Sequence, residues 1–444
     1  MNLKSILTVG LIGLSTASMA QAWQQDSIAM GANYANDVFY KLSNGSTSFA
    51  PGDNWHLSFQ MTTFGELHYN ASIGTNSTRT GIQVFVISNL TSTYSSISGT
   101  DTIGKTDPSL ALINNDTSWG TGAFYQNRVL TDPFSYGWGE YNSMDHSLAG
   151  TTVYLLKMID GTAYKFYVQK YISTPYSAIQ YKFHLAKLDG SSPDKVIDIN
   201  RQDANNDFSA RNLAYYNIDS DRIENREPIR DNWDFVFTRY TEMIPNGPGP
   251  LVPYPMMGVL SDEAVLAVNV HQVNPDQTQY KTFTYGTAAN AIGSDWKYFD
   301  DPTHTGHGTY KLDSTANYFI RTASTPNQYW QLQFTRFDGS AQGMMTFQKR
   351  LLATELGVAK TSSVNAWAIA PNPANNSANI MVDAKSVTNN AQLLITDMAG
   401  RVVLNTNISV KQGMNGFGIN TANLAPGVYA VKIAGENLSL SSRL

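Results

Sequence analysis

Cysteine is absent from all 444 residues. No disulfide can brace the fold, and no cysteine follows the leader to carry a lipid anchor. Charge is also scarce, at 15% of residues with a net of −5, and no cluster of Lys and Arg breaks the sparseness. A nucleic-acid surface, which needs clustered cations against phosphate, is therefore not expected. Beyond the first 22 residues no stretch approaches the ~18 continuous apolar residues of a membrane span, so no span is expected. Helical periodicity is nearly missing, FQKRLLATELG (347–357) being the main exception. The chain also lacks a Gly-x-Ser-x-Gly elbow, a His-Glu-x-x-His pair and a phosphate loop. None of these signatures of catalysis is present, and no pair of carboxylates is singled out by the sequence, although carboxylates far apart in sequence can meet in space.

Polarity rests instead on Asn, Ser, Thr, Gly and Tyr, and 11% of the chain is aromatic. Burial of those rings can supply the stability that disulfides do not. Residues 1–22 read as a signal peptide: Lys4, the apolar segment ILTVGLIGL, then SMAQA with Ala20 and Ala22 at an A-x-A cleavage site.

The remaining pattern is that of strands. GDNWHLSFQMT (52–62) and RDNWDFVFTRY (230–240) each place large apolar residues at alternate positions, Trp55, Leu57, Phe59 and Trp233, Phe235, Phe237. Period two is the mark of a strand with one buried face. The likeness extends outward. VFYKLSNGS (38–46) parallels AYYNIDSDR (214–222), Trp138–Leu156 parallels Asp295–Leu312, and QYKFHLAKLDGS (180–191) parallels YWQLQFTRFDGS (329–340). The expected fold is all-β: two tandem duplicated β-sheet modules, 23–205 and 206–355, then a linker over 356–369 and a small immunoglobulin-like β-sandwich over 370–444. Trp55 and Trp233 are expected to be equivalent core anchors. A Ser-, Thr-, Gly- and Asn-rich insertion over 92–122 reads as a long loop.

From Ala370 onward, PNPANN, TDMAGRVV and INTANLAPGVYAVKI resemble the C-terminal sorting domain that directs Bacteroidetes proteins through the type IX secretion system. The resemblance implies passage through that machinery to the cell surface or the medium. Residues 215–347, with YYNIDSDRIENREPIRDNWDFVFTRY, GTYKLDSTANYFIRTA and YWQLQFTRFDGSAQGMMTF, resemble the HmuY-type haem-binding proteins of the same phylum, and the first half repeats the pattern more faintly.

That second resemblance implies a haemophore-like role in iron acquisition, with haem as cofactor held by axial His or Met ligands on loops. Its ligand loop maps onto FDDPTHTGHG, offering His304 and His307, and onto NSMDHSLAG, offering His146 with Met144 beside it. The other axial position falls on His271 or on Met256 and Met257. His304 and His307 beside Asp300 and Asp301 also resemble a divalent-metal cluster. The alternative is a secreted surface or matrix binding protein that uses the same scaffold for a glycan, a peptide or another ligand.

Overall fold

Leu57 and Phe59 are wholly buried in one hydrophobic core, and Phe235 and Phe237 in another, as their alternation requires. The computed structural model describes residues 22–62, 71–173, 179–203, 206–302, 308–322, 327–354, 364–372, 374–397, 401–435 and 438–444. Antiparallel strands dominate it, and the expected all-β class is what is found. The signal peptide lies outside the described residues, apart from Ala22. The chain divides into two compact units, one within 1–322 and 329–353 and the other within 354–444 together with 323–328.

The first unit has two lobes. In the first lobe, a large sheet runs in the order 195–200, 180–187, 163–172, 147–150, 139–142, with 153–157 bridging 163–172 to 83–88. A small sheet joins it, in the order 222–224, 213–217, 57–60, 73–75. In the second lobe the large sheet runs 24–29, 344–354, 328–337, 316–322, 265–271, and the small one runs 252–261, 235–244, 36–40, 47–51.

These orders cross the boundary expected at 205/206. The hairpin 36–51 pairs with the second half, Tyr40 lying opposite Phe235, while the hairpin 213–224 pairs with the first half, Ala214 lying opposite Phe59. Gln24–Ala29 likewise pairs with Met344–Lys349. The sheets therefore group 52–226 as one lobe, and 23–51 with 227–354 as the other. Ile28, Met30, Val38, Tyr40 and Leu42 are buried in the second core.

Lys349 fixes the N-terminal segment there. Its side chain is 3% exposed, and the ammonium donates to Tyr40 Oη at 2.5 Å and to the Leu42 carbonyl at 2.6 Å and sits 3.0 Å from Asp26 Oδ2.

One further expectation changes. Phe347–Thr354, read as helical, belongs to the strand Met344–Thr354, which pairs with Gln24–Ala29 as far as Lys349 on one side and with Gln328–Phe337 on the other. The two Asp-Gly pairs that close the matching strands differ: Asp189-Gly190 makes a turn, with Gly190 at φ 77°, whereas Gly339 opens a one-turn helix closed by Gly343 at φ 64°.

The second unit is a β-sandwich. One sheet runs 364–370, 377–384, 413–420 and the other 402–410, 388–397, 429–435, 438–443, over a core that includes Ile380, Leu393, Ile395, Val431 and Ile433.

Candidate functional site

The small sheets do not have a solvated polar face. Ser58 and Gln60, alternating with Leu57 and Phe59, are 6% and 1% exposed. On the strand Phe235–Ile244 the same alternation turns Val236, Thr238 and Tyr240 away from the second core. Between these two faces lies a cavity of about 110 Å³, bounded by both lobes.

A buried charge cluster forms one wall. Asp37 accepts from Arg226 Nη2 at 2.6 Å, from Arg79 Nη2 at 3.3 Å and from Thr238 Oγ1 at 2.7 Å. Arg226 sits over the adjoining rings of Trp55 and Tyr215, 5.6 and 5.0 Å from their centroids, and also donates to Asn54 Oδ1 and the Pro51 carbonyl. Arg239 reaches the rim through its carbonyl, which accepts from Thr78 Oγ1 at 3.0 Å.

Glu227, wholly buried beside Arg226, takes the N–H groups of Asn212 and Leu213 and the hydroxyl of Tyr215. Burial pushes its carboxyl up to about 7 despite those donors, and nearby Asp262, itself raised to about 6 by burial, adds repulsion.

The opposite wall is a strap, Asn114–Gly122, the end of the long insertion. Asn114 Oδ1 accepts the N–H groups of Thr75 and Ala123, and Gly122 N donates to Ser72 Oγ, fixing the strap to the first lobe. Its middle reaches the second lobe. Asn290 donates to Asp116 Oδ2, the Thr117 carbonyl accepts from Ala289, and Trp119 Nε1 donates to the Ser261 carbonyl, each at 2.8 Å. Glycine is required at 122, where a Cβ would stand 2.2 Å from the Ile73 carbonyl oxygen.

Two polar atoms on this cavity have no hydrogen-bond partner, the indole nitrogen of Trp55 and the hydroxyl of Thr75, a residue only 2% exposed. Buried donors in proteins are almost always satisfied, so such a pair marks a place where a ligand or water completes the bonding. Trp55 is therefore no core anchor. It is half-buried against Tyr215 at 5.0 Å, on the cavity. Trp233, 2% exposed, packs with Phe39, Val236, Tyr240 and Leu260 in the joint between lobes.

The expected haem ligands are dispersed. His146, at φ 57° in the turn between Gly139–Asn142 and Ser147–Gly150, is exposed and shares a hydrogen bond between Nδ1 and Tyr141 Oη. Met144 beside it is 86% exposed. His271 ends a strand of the other lobe, 3.9 Å from Asp295 and 3.8 Å from Asp313. Met256 and Met257 are neighbours on one strand and point to opposite faces, Met257 being filled into the second core at 4% exposure. Met257 is thereby corrected from ligand to core residue. His304 and His307, and with them the metal cluster, lie outside the described residues. Among the described residues no group of three or more His, Asp or Glu side chains is arranged to hold a metal ion.

Sequence reasoning missed the cavity. The only signals were polar residues at the alternate positions of two strands and the run NNDTSWGTG (114–122) in a segment read as a loop.

Residues 368–444 match the model of the secretion system C-terminal sorting domain. The protein is thus an exported one, carrying a type IX sorting domain and destined for the cell surface or the medium. Comparison with curated proteins returns no match. The match to the sorting domain does not extend to the two lobes, and the HmuY-type resemblance has no counterpart in these comparisons.

Proposed function

We propose that the protein is an exported, non-enzymatic binding protein that holds a small polar ligand in the cavity between its lobes. The observation that carries this reading is the pair of unpartnered groups, Trp55 Nε1 and Thr75 Oγ1, on a cavity walled by aromatic rings and short polar side chains. Size narrows the ligand. At ~10–15 Å³ per water-sized group, the cavity has room for about ten such groups. A haem macrocycle is several times too large for it.

The test uses Trp55 and Trp119 as built-in reporters. Small polar compounds are titrated against the mature protein, with tryptophan emission and thermal unfolding followed together. A saturable emission change that disappears in Trp55→Phe, with a rise in Tm, supports the reading. Failure of sugars, amino acids, nucleosides and small organic acids alike would remove it.

Haem remains a second reading, at a different place. It is favoured by the exposed hairpin carrying His146, where Phe134 and Tyr141 stack at 6.2 Å and offer an aromatic surface beside an imidazole. A saturable Soret change lost in His146→Ala supports haem there, and a flat titration excludes it.

A further inference from the structure

Asp37, Asp116, Arg226 and Glu227 each have a partner within the protein, while Arg239, whose side chain alternates to the face opposite Thr238 and Tyr240, reaches the cavity through its carbonyl. Asp37 is held by two guanidinium groups and a hydroxyl. Arg226 is engaged by Asp37, Asn54, Pro51 and two rings. Glu227 takes three donors, and Asp116 takes the Asn290 amide. A charged ligand would enter this space without a counter-ion, and burying an unpaired charge is far costlier than burying a hydroxyl that finds a partner. What the cavity still offers is neutral: an indole N–H, a threonine hydroxyl, the hydroxyls of Ser58 and Ser118, and the rings of Trp55, Tyr215 and Trp119.

From this set we infer that the ligand is a neutral sugar, of about one monosaccharide ring. The inference rests on the cavity being a ligand site. Sugars combine hydroxyls, which are both donors and acceptors, with an apolar face of C–H groups that stacks on aromatic rings. The volume accommodates about ten water-sized groups, close to one hexose. Gly74 keeps the floor open, since a Cβ there would lie 2.7 Å from Ser58 Oγ and 3.1 Å from Asn114 Oδ1.

The test is calorimetric titration of the mature chain with glucose, galactose, mannose and N-acetylglucosamine. Glucuronate and galacturonate serve as anionic counterparts, and glucosamine as the cationic one. At least one neutral sugar should bind saturably, with its charged counterpart weaker by about tenfold or more, because the acceptors and cations that a charge would need are engaged. Thr75→Val, which removes the hydroxyl at constant shape, and Trp55→Phe, which removes the N–H and keeps a ring, should each weaken that sugar by about tenfold. A uronate or amino sugar binding as tightly as its neutral parent would overturn the inference. So would a neutral sugar indifferent to both substitutions. If no sugar binds but an amino acid, nucleoside or organic acid changes emission in a Trp55-dependent way, the sugar inference fails and the cavity reading stands. If nothing binds in that way, both fail.

Discussion

Replacing Lys349 by Met should open the second lobe and leave the first intact. The ammonium is almost fully buried and serves three oxygens of the N-terminal segment, Asp26, Tyr40 and Leu42. Met fills the space of the stem but leaves the Leu42 carbonyl without its donor, at a cost of about 1–3 kcal/mol. Breaking a buried ion pair costs about 3–5 kcal/mol, but the Asp26 side chain is 32% exposed and recovers some hydration, which lowers that figure. A net loss of about 3 kcal/mol is expected. Acid should reproduce part of it. Burial alone would raise the Asp26 carboxyl, but hydrogen bonds from Tyr40 and Lys349 and the lysine charge outweigh burial and hold it below its ordinary value. A lowered carboxylate contributes stability that is full above the unfolded value of ~3.9 and is lost as pH falls through the folded one, so this part should fade only below about pH 4. Hydrogen exchange read peptide by peptide in the full mature chain is the deciding assay. Protection should fall in 24–42 and 344–354 and stay unchanged in 57–60 and 180–187. A loss below about 1 kcal/mol, or equal losses in both lobes, would refute the assignment of residues 23–51 to the second lobe.

A fragment spanning 52–226 should unfold cooperatively, whereas 23–205 should not; moving residues 23–51 to follow Thr354 through a flexible linker should retain the fold, as judged by urea denaturation. Glu227, raised to about 7 against ~4.3 unfolded, keeps a proton that the unfolded chain has lost, so its contribution is full below ~4.3 and is lost as pH rises through 7. The urea midpoint should therefore fall between pH 5 and pH 8 by the equivalent of roughly 3 kcal/mol, and Glu227→Gln should flatten that slope. Trp233→Ala should cost about 3–5 kcal/mol in thermal unfolding, while Trp55→Ala, which empties no core, should cost about 1 kcal/mol or less.

Local signals in the sequence were legible and non-local ones were not. Leu57, Phe59, Phe235 and Phe237 announced their buried face because alternation is a property of a single strand. The tail was legible for the same reason, its short motifs following one another in order within one sandwich. Period two says nothing about what covers the opposite face. Ser58 and Gln60 are buried, and Ser58 lines the cavity where the two small sheets meet. Trp55 and Trp233, alike in sequence, diverged for this reason: one meets the cavity and the other the apolar part of the joint. Phe347–Thr354 carried a short apolar run that fits either helix or strand, and pairing decided it, with Gln24–Asp26 on one side of Phe347–Lys349 and with the neighbouring strand Gln328–Phe337 on the other. The exchange of hairpins was hidden because VFYKL and AYYNI carry no mark of which tryptophan strand they will join.

The exchange has a consequence for the ligand site. Asp37 and Phe39, two of its walls, belong to the N-terminal segment, and that segment is secured by Lys349, 309 positions from Tyr40. Contacts of such separation carry a large loop-closure cost. The first lobe has its own closing strands at 195–200 and 213–224 and needs no such event. The cavity is therefore completed only when the second lobe closes, when Asp37 reaches Arg226 and Thr238. A ligand that binds the closed form must stabilise the Lys349 closure by linkage, by RT ln(1 + [L]/Kd). Saturating ligand should thus restore exchange protection to 24–42 in Lys349→Met, although that segment's distant end never touches the ligand. Protection gained only around Trp55 and Asn114, with 24–29 still exchanging freely, would mean that the site forms without the closure.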